Sequence, residues 1–351
     1  MFTIFVTISG PVSGDHYRVL LIAAAAVLIF VVIVSVYVLY GWGVFRSERD
    51  SKYVMQYYYE PENSLDGVVL GSSAAYRYWC PPEAFNRHGM AVYCYGIRSM
   101  PIFANKYYID SILKTQDPEF IAIEMRSTTK DVGVYQTGHV RTAVNRMPNS
   151  IERTKILAGF MIFDMQHKTR ISKIPSRYGF PEDNGRAEHS EKIIEQAGKY
   201  KGWIPYSDIE PAKLEKPEEV KGVKEIDKYY EEDLIDLLEY CQGVDCDIVF
   251  FATPFNGSEE RMQQLNYTID LIEESGFDVI NLNTEEAIDE MGLDYSKDYF
   301  NANHTSSSGA IKVTDYLSDI FAERYDLLSH KGDALYESWG KSYQEFAEEY
   351  K

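Results

Sequence analysis

The sequence predicts an α/β domain, a parallel sheet with helices on both faces, tethered by one N-terminal transmembrane helix. Three observations carry that expectation. Short apolar runs bounded by glycine or proline recur, as in residues 66–71 (DGVVLG), 120–125 (FIAIEM) and 247–252 (DIVFFA). Segments with helical spacing alternate with them. One uncharged apolar stretch, residues 19–40, precedes them all. Runs without polar alternation fit strands buried on both faces, and strands alternating with helices are the pattern of a parallel sheet.

The anchor comes first, after an N-terminal tail of residues 1–18. Residues 19–40 (VLLIAAAAVLIFVVIVSVYVLY) would span roughly 33 Å as a helix, against a hydrocarbon core of about 30 Å. A cleaved signal peptide is the rival reading. The apolar run is longer than the usual core of such peptides, however, and Tyr37, Tyr40 and Trp42 read as an interfacial belt, not a small-residue cleavage site. Arg18 stands before the span, and Arg46, Arg49 and Lys52 follow it among Glu48 and Asp50. By the positive-inside rule alone, those charges put the C-terminal domain in the cytoplasm.

Residues 41–64 are polar and aromatic without period and are expected to form a stalk. The main domain is expected over 65–327. Its first strand is 66–71, followed by a short helix at 81–88, a second strand at 91–95, a helix at 101–113 and a third strand at 120–125. Residues 127–229 break the rhythm, holding one helix at 150–163 and then a polar Lys, Glu, Pro and Gly-rich stretch. That reads as an insertion able to shape a substrate entrance. The alternation resumes with a helix at 230–241, a strand at 247–252, a helix at 259–275, a strand at 277–282 and a last helix at 308–325. The tail, 328–351, is either an added helix or a frayed end.

Composition narrows the function. The chain has 351 residues, 45% of them hydrophobic and 14% aromatic, enough for a sizeable core. A net charge of −19 disfavours nucleic acid and anionic headgroups, leaving neutral or cationic partners. The four cysteines, Cys80, Cys94, Cys241 and Cys246, include no CxxC pair. They read as buried or free thiols, with a Cys241 to Cys246 disulfide as the alternative. The seven histidines form no HxH or HExxH pair and no GxGxxG is present, so no metal and no cofactor are expected.

Two islands carry chemistry. Gly71-Ser72-Ser73 follows the first strand, where reactive groups of an open α/β sheet collect; the plain alternative is a helix N-cap serine. His304, in DYFNANHTSSSGA (298–310), precedes the last helix and has the right acidity to take a serine proton; the plain alternative is an ordinary loop histidine.

Serine after the first strand and histidine before the last helix resemble the SGNH (GDSL-like) hydrolase superfamily, whose fold is a flavodoxin-like three-layer αβα sandwich with a parallel sheet. The match is closer to its membrane-anchored branch, which includes the D-alanyl transfer protein of teichoic acid synthesis and polysaccharide O-acetyltransferases. It rests on Gly71-Ser72-Ser73 with Tyr76 and Pro81, on Tyr93-Cys-Tyr-Gly96, on Tyr107-Tyr108, on Pro118 before the third strand, on Thr253-Pro254, and on His304 with Gly309-Ala310. It covers 66–126 and 247–325 and leaves the insertion unmatched.

The resemblance implies a membrane-anchored serine esterase or acyltransferase outside the cytoplasmic membrane, acting on acyl groups of an envelope glycan or polymer, with a membrane-bound acyl donor protein as a further partner. Ser73 would be the nucleophile and His304 the base, and the N–H groups of Ser73 and Gly96 would hold the oxyanion. The family's Asp three residues before the histidine is Asn301 here, with Asp298 further back as an alternative orienting group. Cys94 stands where relatives carry Asn, and the family's third-block Asn has no match. A non-catalytic relative that binds a glycan or a membrane partner is the other reading.

Overall fold

A computed structural model describes residues 14–41, 55–129, 142–144, 146–148, 150–166, 195, 198–206, 211–217 and 219–351. The first helix, α1 (Gly14–Gly41), starts earlier than the apolar run. Its segment Tyr17–Ser35 has a mean hydropathy of 2.8 and nothing buried, and it is the one helix among the described residues long and apolar enough to cross a membrane. Of the expected interfacial belt and flanking charges, the side chains of Tyr37 and Tyr40, and all of Trp42, Arg46, Arg49 and Lys52, lie outside the described residues.

The domain is built on a five-stranded, wholly parallel sheet. Its strands are β1 (Gly67–Gly71), β2 (Val92–Gly96), β3 (Phe120–Glu124), β4 (Asp247–Ala252) and β5 (Val279–Asn281), in the order β2-β1-β3-β4-β5. That is a doubly wound order, which reverses direction at β1/β3 and opens a crevice beyond the carboxyl ends of those strands. In register, Gly71 faces Gly96 and Glu124 faces Phe251.

Side chains alternate across the sheet because the strand period is two. Val68, Leu70, Ile121, Ile123, Ile248 and Phe250 join one core, completed by α4 (Asn105–Ile112), α5 (Ile151–Gln166) and α6 (Lys228–Cys241). Val69, Val92, Cys94, Ala122, Val249 and Phe251 join the other. On that face lie α2 (Ser73–Tyr78), α3 (Pro81–His88), α8 (Glu285–Glu290) and α9 (Ser307–Tyr325), while α7 (Glu259–Glu274) covers the β4–β5 side and reaches the first core through Ile272. Near the carboxyl edge a small antiparallel hairpin, β6 (Tyr299–Asn301) and β7 (His304–Thr305), is an element the sequence reading lacks.

One expectation changes and two open alternatives close. The C-terminal end of the expected stalk is core: Met55 and Tyr57 are buried, and Tyr57 stacks on Tyr95 at 4.9 Å. Residues 42–54 of that stalk lie outside the described residues. The tail is not frayed, since its helix α10 (Glu337–Tyr350) buries Trp339 and Phe346, and such aromatic burial contributes about 1.5–3 kcal/mol per side chain. All four cysteines are free, so Cys241 and Cys246 form no disulfide.

Most of the stretch between 130 and 197 lies outside the described residues, but the returning end of the insertion is tightly placed. It covers the exposed edge of β2, where the Cys94 N–H donates to Lys201 O at 3.0 Å. At the next residue, Gly202, φ is +99° and a Cβ would sit 1.8 Å from Cys94 O, so only glycine fits. Trp203 then packs on Phe346 of α10, ring centroids 5.5 Å apart.

Candidate active site

Strand β1 ends in a turn that needs glycine, because a Cβ at Gly71 would lie 2.8 Å from Glu124 Cβ. The chain then enters α2. Ser72 is the N-cap, its Oγ accepting from the Ala74 N–H at 3.4 Å. The ordinary capping role thus falls to buried Ser72 and leaves the half-exposed Ser73 hydroxyl for other work. Ser73 Oγ lies 2.9 Å from His304 Nε2.

The other imidazole nitrogen settles the proton positions. Asn301 Oδ1 accepts from the Asn303 backbone N–H at 2.8 Å, and a backbone N–H can only donate, so that side-chain atom is the oxygen. His304 Nδ1 sits 3.2 Å from the same oxygen. Facing an acceptor, Nδ1 carries the hydrogen, and Nε2 presents a lone pair to Ser73. Ser73, His304 and Asn301 therefore form one hydrogen-bonded line.

Asp298 does not enter it. That carboxylate is buried and accepts from Lys312 Nζ at 2.6 Å, Ser308 Oγ at 2.7 Å and the Asp294 N–H at 2.8 Å. Its partners anchor the start of α9 instead of the imidazole. Gly96 lies at the carboxyl end of β2, where a Cβ would come 2.8 Å from Tyr76 Cβ on α2. Below it, burial pushes the Cys94 thiol up, and the Gly96 N–H pulls the other way.

Two arginines that the sequence reading did not single out hold the hairpin. Arg126, 4% exposed, follows β3. It donates to Asn303 O at 2.6 Å, Pro254 O at 3.1 Å and the Tyr78 hydroxyl at 3.1 Å. Burial disfavours its charge, but Tyr78 and Glu124 more than offset that, and the guanidinium pKa is raised. Arg261 on α7 donates to Asn303 Oδ1 at 2.9 Å and Thr129 O at 3.2 Å. Both guanidinium groups lie against Phe255, at 4.9 and 4.7 Å from the ring centroid. Thr305 Oγ1 ties the hairpin to α2 by donating to Arg77 O at 3.0 Å.

The insertion supplies a wall. Tyr206 stacks between Arg77 (3.4 Å from guanidinium to ring centroid) and Phe300 (3.8 Å between centroids), with its ring 6.2 Å from that of His304. Beyond Phe255, a cavity of about 370 Å³ opens over the carboxyl ends of β4 and β5, lined by Lys216, Asn283, Glu285 and Tyr295 among others. Among the described residues, no group of three or more His, Cys, Asp or Glu is arranged to hold a metal ion.

A serine hydroxyl in line with an oriented imidazole at the carboxyl edge of a parallel sheet is an arrangement that acyl chemistry on serine requires. No family model matches the chain, and no curated protein matches it significantly.

Proposed function

We propose that this protein is a membrane-anchored serine esterase or O-acyltransferase of the SGNH type, acting on acyl groups such as O-acetyl on an envelope glycan or polymer. The observation that carries the reading is the Ser73–His304–Asn301 line, 2.9 and 3.2 Å in its two links. The strand order 2-1-3-4-5, with Ser73 at the switch point, supports the flavodoxin-like form of that fold.

In this mechanism His304 Nε2 takes the Ser73 proton as Oγ attacks the ester carbonyl. The resulting oxyanion meets the N–H of Ser73 at the start of α2, which acts only once charge has developed, while the Gly96 N–H that the resemblance adds is turned toward the Cys94 thiol. His304 returns the proton to the departing alkoxide, and an acyl-Ser73 enzyme remains. Water, or a hydroxyl of the acceptor, then attacks under the same base and regenerates serine. Asn301 fixes the tautomer but lends no negative charge to the imidazolium.

The proposed location is extracytoplasmic, where such polymers lie, with α1 as a single-span anchor and a membrane-bound protein as acyl donor. A reporter fused after Lys351 that works only in the cytoplasm would overturn that location. For the chemistry, turnover of an acetyl ester by the full chain in detergent is compared with that of Ser73→Ala; equal rates sink the proposal. The neutral Asn301 favours one second reading, a non-catalytic relative that binds a glycan or membrane partner. Folded wild-type protein that turns over no ester would support it.

A further inference from the structure

On the β2 side of Ser73, three arginines act on one phenol, that of Tyr76. Arg77 lies one helical turn after Ser73 on α2, on the same face. Its Nη1 donates to the carbonyls of Ile204 (2.7 Å) and Pro205 (2.9 Å), while its buried Nε–H has no hydrogen-bond partner among the described residues. Arg98 is exposed and stands two residues beyond Gly96, in a turn whose next residue, Ser99, has φ of +51°. Arg146 is only 9% exposed. Tyr76, whose ring lies 5.3 Å from the Arg77 guanidinium, feels the charge of all three.

Among the described residues none of the three forms an ion pair, in a chain where 54 acidic residues face 35 Lys and Arg. Burial lowers the pKa of both Arg77 and Arg146, and the groups acting on them most strongly are tyrosines and, for Arg77, the like charge of Arg98. Desolvated guanidinium groups without a counter-charge are costly, and an anion between them would offset that cost. Guanidinium is also the group that matches carboxylate and phosphate geometry.

We propose that Arg77, Arg98 and Arg146 form an anion subsite beside Ser73, which takes a carboxylate or phosphate group carried by the polymer substrate. The overall charge of −19 points to neutral or cationic partners, but it averages over the whole surface and is silent about this corner. Arg98, exposed at the mouth, makes first contact, and Arg77 fixes the anion relative to the reacting ester. The inference rests on the proposed acyl chemistry for that last step only; binding requires no turnover.

The test is calorimetric titration of the full chain in detergent with sodium polygalacturonate, sodium polyphosphate and neutral dextran. Arg98→Gln and Arg98→Glu serve as the variants, and Arg87→Gln as a control that removes a surface arginine already paired with Asp319. Wild type binds at least one polyanion and not dextran, and the polyanion bound identifies carboxylate or phosphate as the ligand. Arg98→Gln weakens that binding about tenfold and Arg98→Glu further, which is about 1.4 kcal/mol per factor of ten. Equal binding by wild type and Arg98→Glu, an equal loss in Arg87→Gln, dextran binding as tight as the polyanions, or no polyanion binding overturns the subsite. If Ser73→Ala retains ester turnover while the Arg98 pattern holds, the acyl chemistry falls and the subsite stands.

Discussion

Ser73 and His304 meet across 2.9 Å, yet the chain holds them by different means. Ser73 is set by regular structure: a strand buried on both faces, a glycine turn, a capping serine and a helix start. His304 sits on a two-stranded hairpin whose connecting residue, Asn303, is gripped by Arg126 and Arg261 from elements far away in sequence. Ser73 is thus placed by the fold, and His304 by a few side-chain bonds. Activity should be lost through the second region without loss of the fold, and through the first only when Ser73 itself changes.

The strongest break in that comparison is removal of either member. Ser73→Ala or His304→Ala should each cost about 10³-fold or more in kcat for ester turnover, and the double variant should be no worse than the worse single one. Additive losses would mean the two do not act as a unit. Arg126→Met comes next: freeing the hairpin should lower kcat about 100-fold through misplacement of the base. It should also lower Tm, because the carbonyls of Pro254 and Asn303 are left to share the single Tyr78 hydroxyl hydrogen, and one unmet acceptor costs about 1–3 kcal/mol. Arg261→Gln, on the more exposed side of the hairpin, should cost several-fold in kcat with little change in Tm. Reversal of that order would place the main support on the wrong arginine.

Asn301 sharpens the comparison from within the line. Asn301→Ala should lower kcat about tenfold by freeing the ring. Asn301→Asp places a carboxylate against Nδ1–H, favours the imidazolium and should move the acid limb of the pH profile to higher pH. An unmoved limb would mean that Asn301 does not orient the base. The smallest effect lies far from the site, at Asp233 on α6, pushed up to about 7 mainly by burial and then by Asp236, with Lys106 opposing. A raised folded pKa favours folding at pH below the unfolded value of about 4, and this contribution fades as pH rises through about 7. Asp233→Asn should therefore raise Tm slightly at pH 8 and leave ester turnover unchanged.

The same contrast explains what the sequence made legible. The strands of the parallel sheet, Ser73 after the first of them and His304 before a helix could be read because each depends on neighbours in the chain. Which of Ser72 and Ser73 caps the helix could not, since both stand at its start and only the three-dimensional bonds to Ala74 and His304 separate them. Arg126 and Arg261 gave no signal because their partners are backbone carbonyls, which every residue carries, and single polar side chains far away in the sequence. Asp298 was offered as an alternative orienting group on spacing alone, and the cation at Lys312, fourteen residues on, holds it elsewhere. Tyr57 lay in a segment without period and Trp339 in one left open between a helix and a frayed end, yet both are core, because aromatic burial there is decided by distant contacts with β2.

The central claim is that Ser73 is a nucleophile activated by His304. Its most direct test is covalent trapping: full-length protein in detergent is treated with a fluorophosphonate and digested, and the adduct is located by mass spectrometry. The account predicts a single phosphonylated peptide carrying Ser73, with labelling absent in Ser73→Ala and strongly slowed in His304→Ala. Folded wild-type protein that takes no label, or takes it elsewhere, would contradict it.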